Sequence, residues 1–132
     1  MSKKSFICFL VLFPLISVVA DDNEIMLNCK FSDTREGGFD LIINVKDQTV
    51  DFGGFKKVHL GTCDYSDEEY KRCLDEFSSS QIVYSDKYRN GIRNIRTVSR
   101  KTGNIKGELY RSNGSFWSEK DGKCVVKQMQ GF

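Results

Sequence analysis

The chain has 132 residues, with 20 Lys+Arg, 18 Asp+Glu and one histidine, for a formal net charge of +2. The length suits one domain. The near balance of charge removes the simplest support for a polyanion-binding protein, and one histidine leaves little for zinc ligation or triad chemistry.

Residues 1–20, MSKKSFICFLVLFPLISVVA, read as a secretory signal peptide. Lys3 and Lys4 make a basic start, Phe6 to Ile16 an apolar run broken by Pro14, and Val18 and Ala20 supply small residues before Asp21. A bilayer-spanning helix needs ~20 apolar residues, so no stable membrane anchor is expected once the leader is cleaved. The leader holds two lysines and no acid, so the domain at 21–132 keeps 18 bases against 18 acids. The charge is unevenly spread: residues 21–80 carry 14 acids and 7 bases, residues 81–111 carry 2 acids and 8 bases. Opposite charges meeting across neighbouring strands account for that more simply than a basic functional face.

Cys8 leaves with the leader, and Cys29, Cys63, Cys73 and Cys124 remain. An even number of cysteines in a small exported domain points to disulfides and to a periplasmic or secreted location. Three pairings are open. Cys63–Cys73 nested inside Cys29–Cys124 is preferred, because the first is local and the second ties the two ends of the domain together.

Along the chain, EIMLNCKF (24–31) alternates Ile25, Leu27, Cys29 and Phe31 on one side, as a half-buried strand does. FDLIINV (39–45) and TVDF (49–52) flank a KDQ turn, and KKVHL (56–60) adds a short strand. QIVY (81–84), IRNIRTVSR (92–100) and IKGELYR (105–111) follow, with glycine turns at RNG (89–91), KTGN (101–104) and SNG (112–114). SFWS, a KDG turn at 120–122 and KCVVKQM close the domain. The pattern predicts a mainly β fold, a small antiparallel β-barrel or sandwich of about eight short strands. One short helix interrupts it. Ser66 and Glu69 form a capping box, and Tyr70, Cys73, Leu74 and Phe77 make a helical stripe, so Asp67 to about Phe77 is expected to be a disulfide-linked helix packed on the sheet.

No constellation for catalysis, cofactor or metal emerges. His59 lies in a strand pattern with no nucleophile elbow nearby, and the acids of 64–69 lack the alternation of a calcium loop. Arg89, Arg93, Arg96 and Arg100 divide between two faces of a strand, which argues against a nucleic-acid stripe. Asn113-Gly114-Ser115 fits a glycosylation sequon and equally a tight turn, and the turn reading suffices. Cys63 and Cys73 match one unit of a twin C-x9-C protein, but Cys29 and Cys124 do not make the second.

GSFWSEKDGK (114–123) is the most suggestive surface stretch. Phe116 and Trp117 are adjacent, so a regular strand sends one inward and one outward, and burial of the only tryptophan is the simpler expectation. Trp117-Ser118-Glu119-Lys120-Asp121-Gly122 resembles a Trp-x-Lys-Gly-like segment of the small periplasmic inhibitors of C-type lysozyme. That resemblance implies an exported, disulfide-containing β-barrel that places a serine and a lysine into the enzyme's acidic cleft, here Ser118 and Lys120. Arg100 to Ile105 and Gly122 to Cys124 are similar to segments of small exported bacterial proteins of unassigned role.

The expectation is a non-enzymatic exported protein without cofactor or metal that binds another protein, a cell-wall hydrolase or bacteriocin-type toxin, as inhibitor or immunity protein. The partner-binding candidates are Trp117, Ser118 and Lys120, with Asp64, Asp67 and Glu68 on the outer side of the stapled segment. A structural protein of the envelope surface and a small exported hydrolase using His59 are the rivals from other classes.

Overall fold

The structure, a computed structural model, describes residues 24–33, 37–53, 57–65 and 69–127. The leader, Ser66, Asp67 and Glu68 lie outside the described residues. Ten strands follow in chain order: β1 Glu24–Phe31, β2 Phe39–Asn44, β3 Thr49–Asp51, β4 Val58–His59, β5 Cys63–Tyr65, β6 Tyr70–Phe77, β7 Gln81–Tyr88, β8 Arg93–Ser99, β9 Asn104–Tyr110 and β10 Phe116–Val126. They form one antiparallel sheet in the order β4-β3-β2-β1-β10-β9-β8-β7-β6-β5.

That sheet curls until its ends meet. Leu60, just past β4, bridges Leu74 of β6 in parallel. The Gly61 N–H donates to the Leu74 carbonyl at 2.8 Å, and the Leu74 N–H donates to the Thr62 carbonyl at 3.1 Å. The result is a nearly closed barrel, in which most edge N–H and C=O groups find partners. Its interior is filled by the inward residues of the alternating strands: Phe31 of β1, Leu41 and Ile43 of β2, Val50 of β3, Val58 of β4, Leu74 of β6, Ile82 and Tyr84 of β7, Val98 of β8 and Ile105 of β9.

Both disulfides have the preferred nested pairing, Cys29–Cys124 and Cys63–Cys73. Each joins directly opposed residues of neighbouring antiparallel strands, β1 with β10 and β5 with β6, with Cα atoms 3.9 Å apart. Cys29–Cys124 belongs to the core, while Cys73 faces the opposite side from Arg72 and Leu74. Two such bonds are consistent with an oxidising environment.

The expected helix is not there. Tyr70–Phe77 is strand β6, and Cys63–Tyr65 is strand β5 paired to it. The apolar stripe that suggested a helix comes from a β-bulge. Up to Leu74 the strand alternates, so Tyr70, Arg72 and Leu74 share the inner face. The register then shifts between Leu74 and Glu76, and Phe77 comes back inside opposite Ile82. Spacings of four and then three thus arise on a strand with one extra residue. Glu69, the expected capping partner, instead accepts the Arg89 N–H through its backbone carbonyl at 3.1 Å, extending the sheet.

The second departure is at Asp121-Gly122. No turn forms there, and β10 runs unbroken from Phe116 to Val126. Gly122 is needed for another reason: a Cβ at that position would run into the Lys30 carbonyl oxygen and stand 2.7 Å from the Phe31 Cα. The glycine permits the backbone of the neighbouring strand β1, whose Phe31 is opposite Gly122, to approach closely. The turns at Gly91, Gly103 and Gly114 form as expected, all with positive φ, and the Asn113 side chain caps its turn by accepting from the Ser115 N–H at 2.9 Å.

Candidate functional site

The longest exposed run among the described residues covers the β9–β10 turn and the first half of β10. Every residue from 111 to 121 is exposed, on both faces of the hairpin, so its end stands clear of the barrel body. Phe116 is 50% and Trp117 48% exposed. Burial of the tryptophan is therefore not observed, and neither ring goes inward. The cause is a second bulge. The register slips between Leu109, opposite Ser118, and Tyr110, opposite Phe116, leaving Trp117 as the extra residue. The in–out alternation of a regular strand fails there.

Around the bulge, rings and guanidinium groups assemble. Phe116 meets Tyr110 edge-on with centroids 5.8 Å apart. Arg93, opposite Tyr110 on β8, lies over the Tyr110 ring at 5.2 Å, and Arg111 lies over Trp117 at 5.3 Å. Arg111 also donates to the Phe116 carbonyl at 3.0 Å, which fixes the side chain against the strand. Three aromatic side chains and two arginines thus share one exposed patch at a protruding tip.

Ser118 and Lys120 alternate to the other face of the hairpin. Lys120 is opposite Gly107 and rests its ammonium over the Phe31 ring at 4.6 Å. Both remain exposed. The hairpin therefore carries Trp117 near its end and Ser118 and Lys120 on its other side, with Lys120 resting against the barrel body at Phe31. Asp64 does not join them. It sits half-buried on β5 in register with Arg72, with β6 to β9 between it and β10. Asp67 and Glu68 lie outside the described residues.

The barrel interior holds a charged group that sequence reasoning missed. Asp86 of β7 is buried, and Arg72 of β6 donates to it twice, from Nε at 2.6 Å and Nη2 at 2.8 Å. Arg96 of β8 adds a bond from Nη1 to Oδ2 at 2.8 Å. The guanidinium of Arg72 stacks over Phe52 and Tyr84, that of Arg96 over Tyr84. Burial alone would raise the Asp86 carboxyl. The hydrogen bonds and charges of Arg72 and then Arg96 outweigh it and hold the pKa below the ordinary 3.8. Burial would likewise lower Arg72, and Asp86 more than reverses that. Burial pushes the Tyr84 hydroxyl upward. A carboxylate held ionised by three charge-assisted bonds is a poor general acid or base near neutral pH. The trio ties β6, β7 and β8 together instead.

The one signal for it in the sequence was the rarity of acids at 81–111, where Asp86 and Glu108 are the only two. Ile82, Tyr84 and Asp86 share a face by alternation, which aims that acid into the core. The remaining arginines scatter: Arg93 faces out onto Tyr110, and Arg100 stacks over Phe77 at 5.6 Å. His59 is exposed on the short strand β4. Among the described residues no group of three His, Cys, Asp or Glu side chains converges as a metal site would require.

Comparison of the chain with family models, with characterised proteins and with solved structures returns no match.

Proposed function

We propose that the protein is an exported, non-enzymatic binding module whose β9–β10 hairpin inserts into the cleft of a cell-wall-degrading enzyme, acting as its inhibitor or as immunity against it. The observation that carries this reading is the protruding tip, where Tyr110, Phe116 and Trp117 are interleaved with Arg93 and Arg111. Aromatic and arginine side chains are the residues that concentrate binding energy at protein interfaces. Arginines held in place by stacking lose less side-chain freedom on docking.

Partner chemistry follows from shape and charge. Enzymes that cleave glycan strands work through a pair of carboxylates in a concave sugar-binding cleft. A convex tip carrying Arg93 and Arg111, with Lys120 further along the hairpin, complements such an acidic cleft, and the aromatic rings match walls built to hold sugar faces. Ser118 and Lys120 on the hairpin's second side fit the role implied by the likeness to lysozyme inhibitors. Two disulfides suit a protein that works outside the reducing cytosol.

The test is a cell-wall lysis assay with C-type lysozyme and with muramidase-type bacteriocins, titrated with the oxidised chain lacking residues 1–20. The expected result is saturable inhibition that is lost in Trp117→Ala and weakened in Arg111→Gln. Equal inhibition by the wild type and Trp117→Ala would remove the hairpin from the mechanism. No binding to any enzyme of the class would remove the reading itself.

A further inference from the structure

Among the described residues, the end of the barrel opposite the aromatic tip is open and apolar. Its mouth contains a cavity of about 360 Å³. The wall is aliphatic and comes from both sides of the barrel: Ile25 and Leu27 of β1, Ile43 of β2, Ile82 of β7, Val98 of β8 and Val126 of β10. Cys124, disulfide-bonded to Cys29, lies in the floor. The turn between β8 and β9 folds over one side and is clamped there, with the Cys124 N–H donating to the Gly103 carbonyl at 2.7 Å. A Cβ at Gly103 would stand 2.8 Å from the Cys124 carbonyl oxygen, so only glycine allows that approach.

The polar lining is confined to one side of the rim, Ser99, Arg100 and Thr102. The Arg100 guanidinium rests over the Phe77 ring and gives one N–H to the Ser78 carbonyl at 2.7 Å. Among the described residues that line the cavity there is no acid and no aromatic ring. Mouths of β-barrels are preferred ligand sites, and this volume falls within the range of small-molecule pockets. The absence of flat rings from the wall favours a flexible saturated chain over a planar ligand. A single fixed cation at the rim asks for one anionic end. At ~30 Å³ for each water-sized group the space takes about a dozen of them, an acyl chain of about ten carbons.

We propose that this mouth binds a medium-chain fatty acid, with the chain among Ile25, Leu27, Ile43, Ile82, Val98 and Val126 and the carboxylate at Arg100. This site is independent of the hairpin and of the enzyme-binding reading.

Calorimetric titration of the oxidised chain with octanoate, decanoate and dodecanoate, below their micelle concentrations, tests it. One molecule should bind per chain, each added methylene from octanoate to decanoate tightening binding about fourfold and the further two of dodecanoate adding less than that. Arg100→Gln should weaken decanoate about tenfold and leave decanol unchanged. Val126 is 71% exposed, so Val126→Trp can narrow the mouth without unfolding the barrel, and it should cost decanoate at least tenfold. Trp117→Ala should change nothing here. Absence of saturable binding, an affinity independent of chain length, or full-strength binding by Val126→Trp would overturn the proposal. Loss of binding in Trp117→Ala would place the ligand on the hairpin and overturn it as well.

Discussion

Asp86 shows how one residue can decide the order of a barrel wall. Its carboxylate is the common acceptor for Arg72 and Arg96. Removing its charge leaves two largely buried guanidiniums without their counter-ion, and breaking a buried pair in this way costs ~3 kcal/mol or more. Asp86→Asn is therefore expected to lower unfolding free energy by about 3 kcal/mol at neutral pH in urea denaturation. The pH dependence has a definite sign. The folded pKa lies below the unfolded value, so the stabilisation is complete above the unfolded pKa and disappears as pH falls through the folded one. The gap between wild type and Asp86→Asn should narrow progressively once pH drops below about 4. A gap that stays constant down to pH 2 would show that the ionised carboxylate is not what Arg72 and Arg96 require. Gly122 makes a similar point by steric exclusion. Any Cβ there meets the backbone of β1, so Gly122→Ala is expected to lose several kcal/mol or prevent folding, read as a lowered melting temperature. For Asp86 the sequence offered only the rarity of acids at 81–111 and its alternation with Ile82 and Tyr84, and for Gly122 it offered nothing. Asp-Gly is the standard hairpin dipeptide, and only knowledge that β1 pairs closely with β10 at that point tells a close approach from a turn.

Strands were legible wherever the alternation was regular. The first strand matches its expected bounds of 24–31, and the turns at Gly91, Gly103 and Gly114 stand where the sequence put them, while the one expected at Gly122 does not form. Two of the departures fall at bulges, because a bulge alters the sequence period while leaving the strand intact. In β6 the extra residue between Leu74 and Glu76 turned an alternating pattern into a helical stripe. In β10 the extra residue at Trp117 turned an expected inward ring outward. The misread helix also had a plausible start signal, yet Glu69 uses its backbone to pair with Arg89. Exposure of Trp117 leads to a prediction at this scale. With the side chain outside the core, Trp117→Ala should change thermal stability by no more than about 0.5 kcal/mol. A larger loss in thermal denaturation would mean the ring contributes to the fold instead of remaining available for a partner.

The whole molecule is a sheet rolled into a barrel, joined at its seam near Leu60 and Leu74 and cross-linked twice. The cysteine count left three pairings open, and the preferred one, a local bond nested inside a bond that ties the two ends of the domain together, is the pairing observed. The two bonds close loops of very different length, with sequence separations of 95 and 10. On the chain-entropy account the long loop contributes ~5 kcal/mol and the short one ~3 kcal/mol. Cys29→Ser/Cys124→Ser should therefore destabilise the barrel more than Cys63→Ser/Cys73→Ser in guanidinium unfolding. The reverse order would mean that the β5–β6 staple, next to the barrel seam, governs unfolding.

At this scale the molecule has two distinct ends, an aromatic and cationic hairpin tip and an aliphatic mouth. The central claim is that the tip binds a cell-wall-degrading enzyme. The most direct measurement is the affinity of the oxidised chain lacking residues 1–20 for C-type lysozyme and for muramidase-type bacteriocins, comparing wild type with Trp117→Ala. The account predicts a one-to-one complex with one of these enzymes, inhibition of lysis, and at least about a thirtyfold loss of affinity in the variant. Wild-type protein that folds with both disulfides yet neither binds nor inhibits any of them would contradict it.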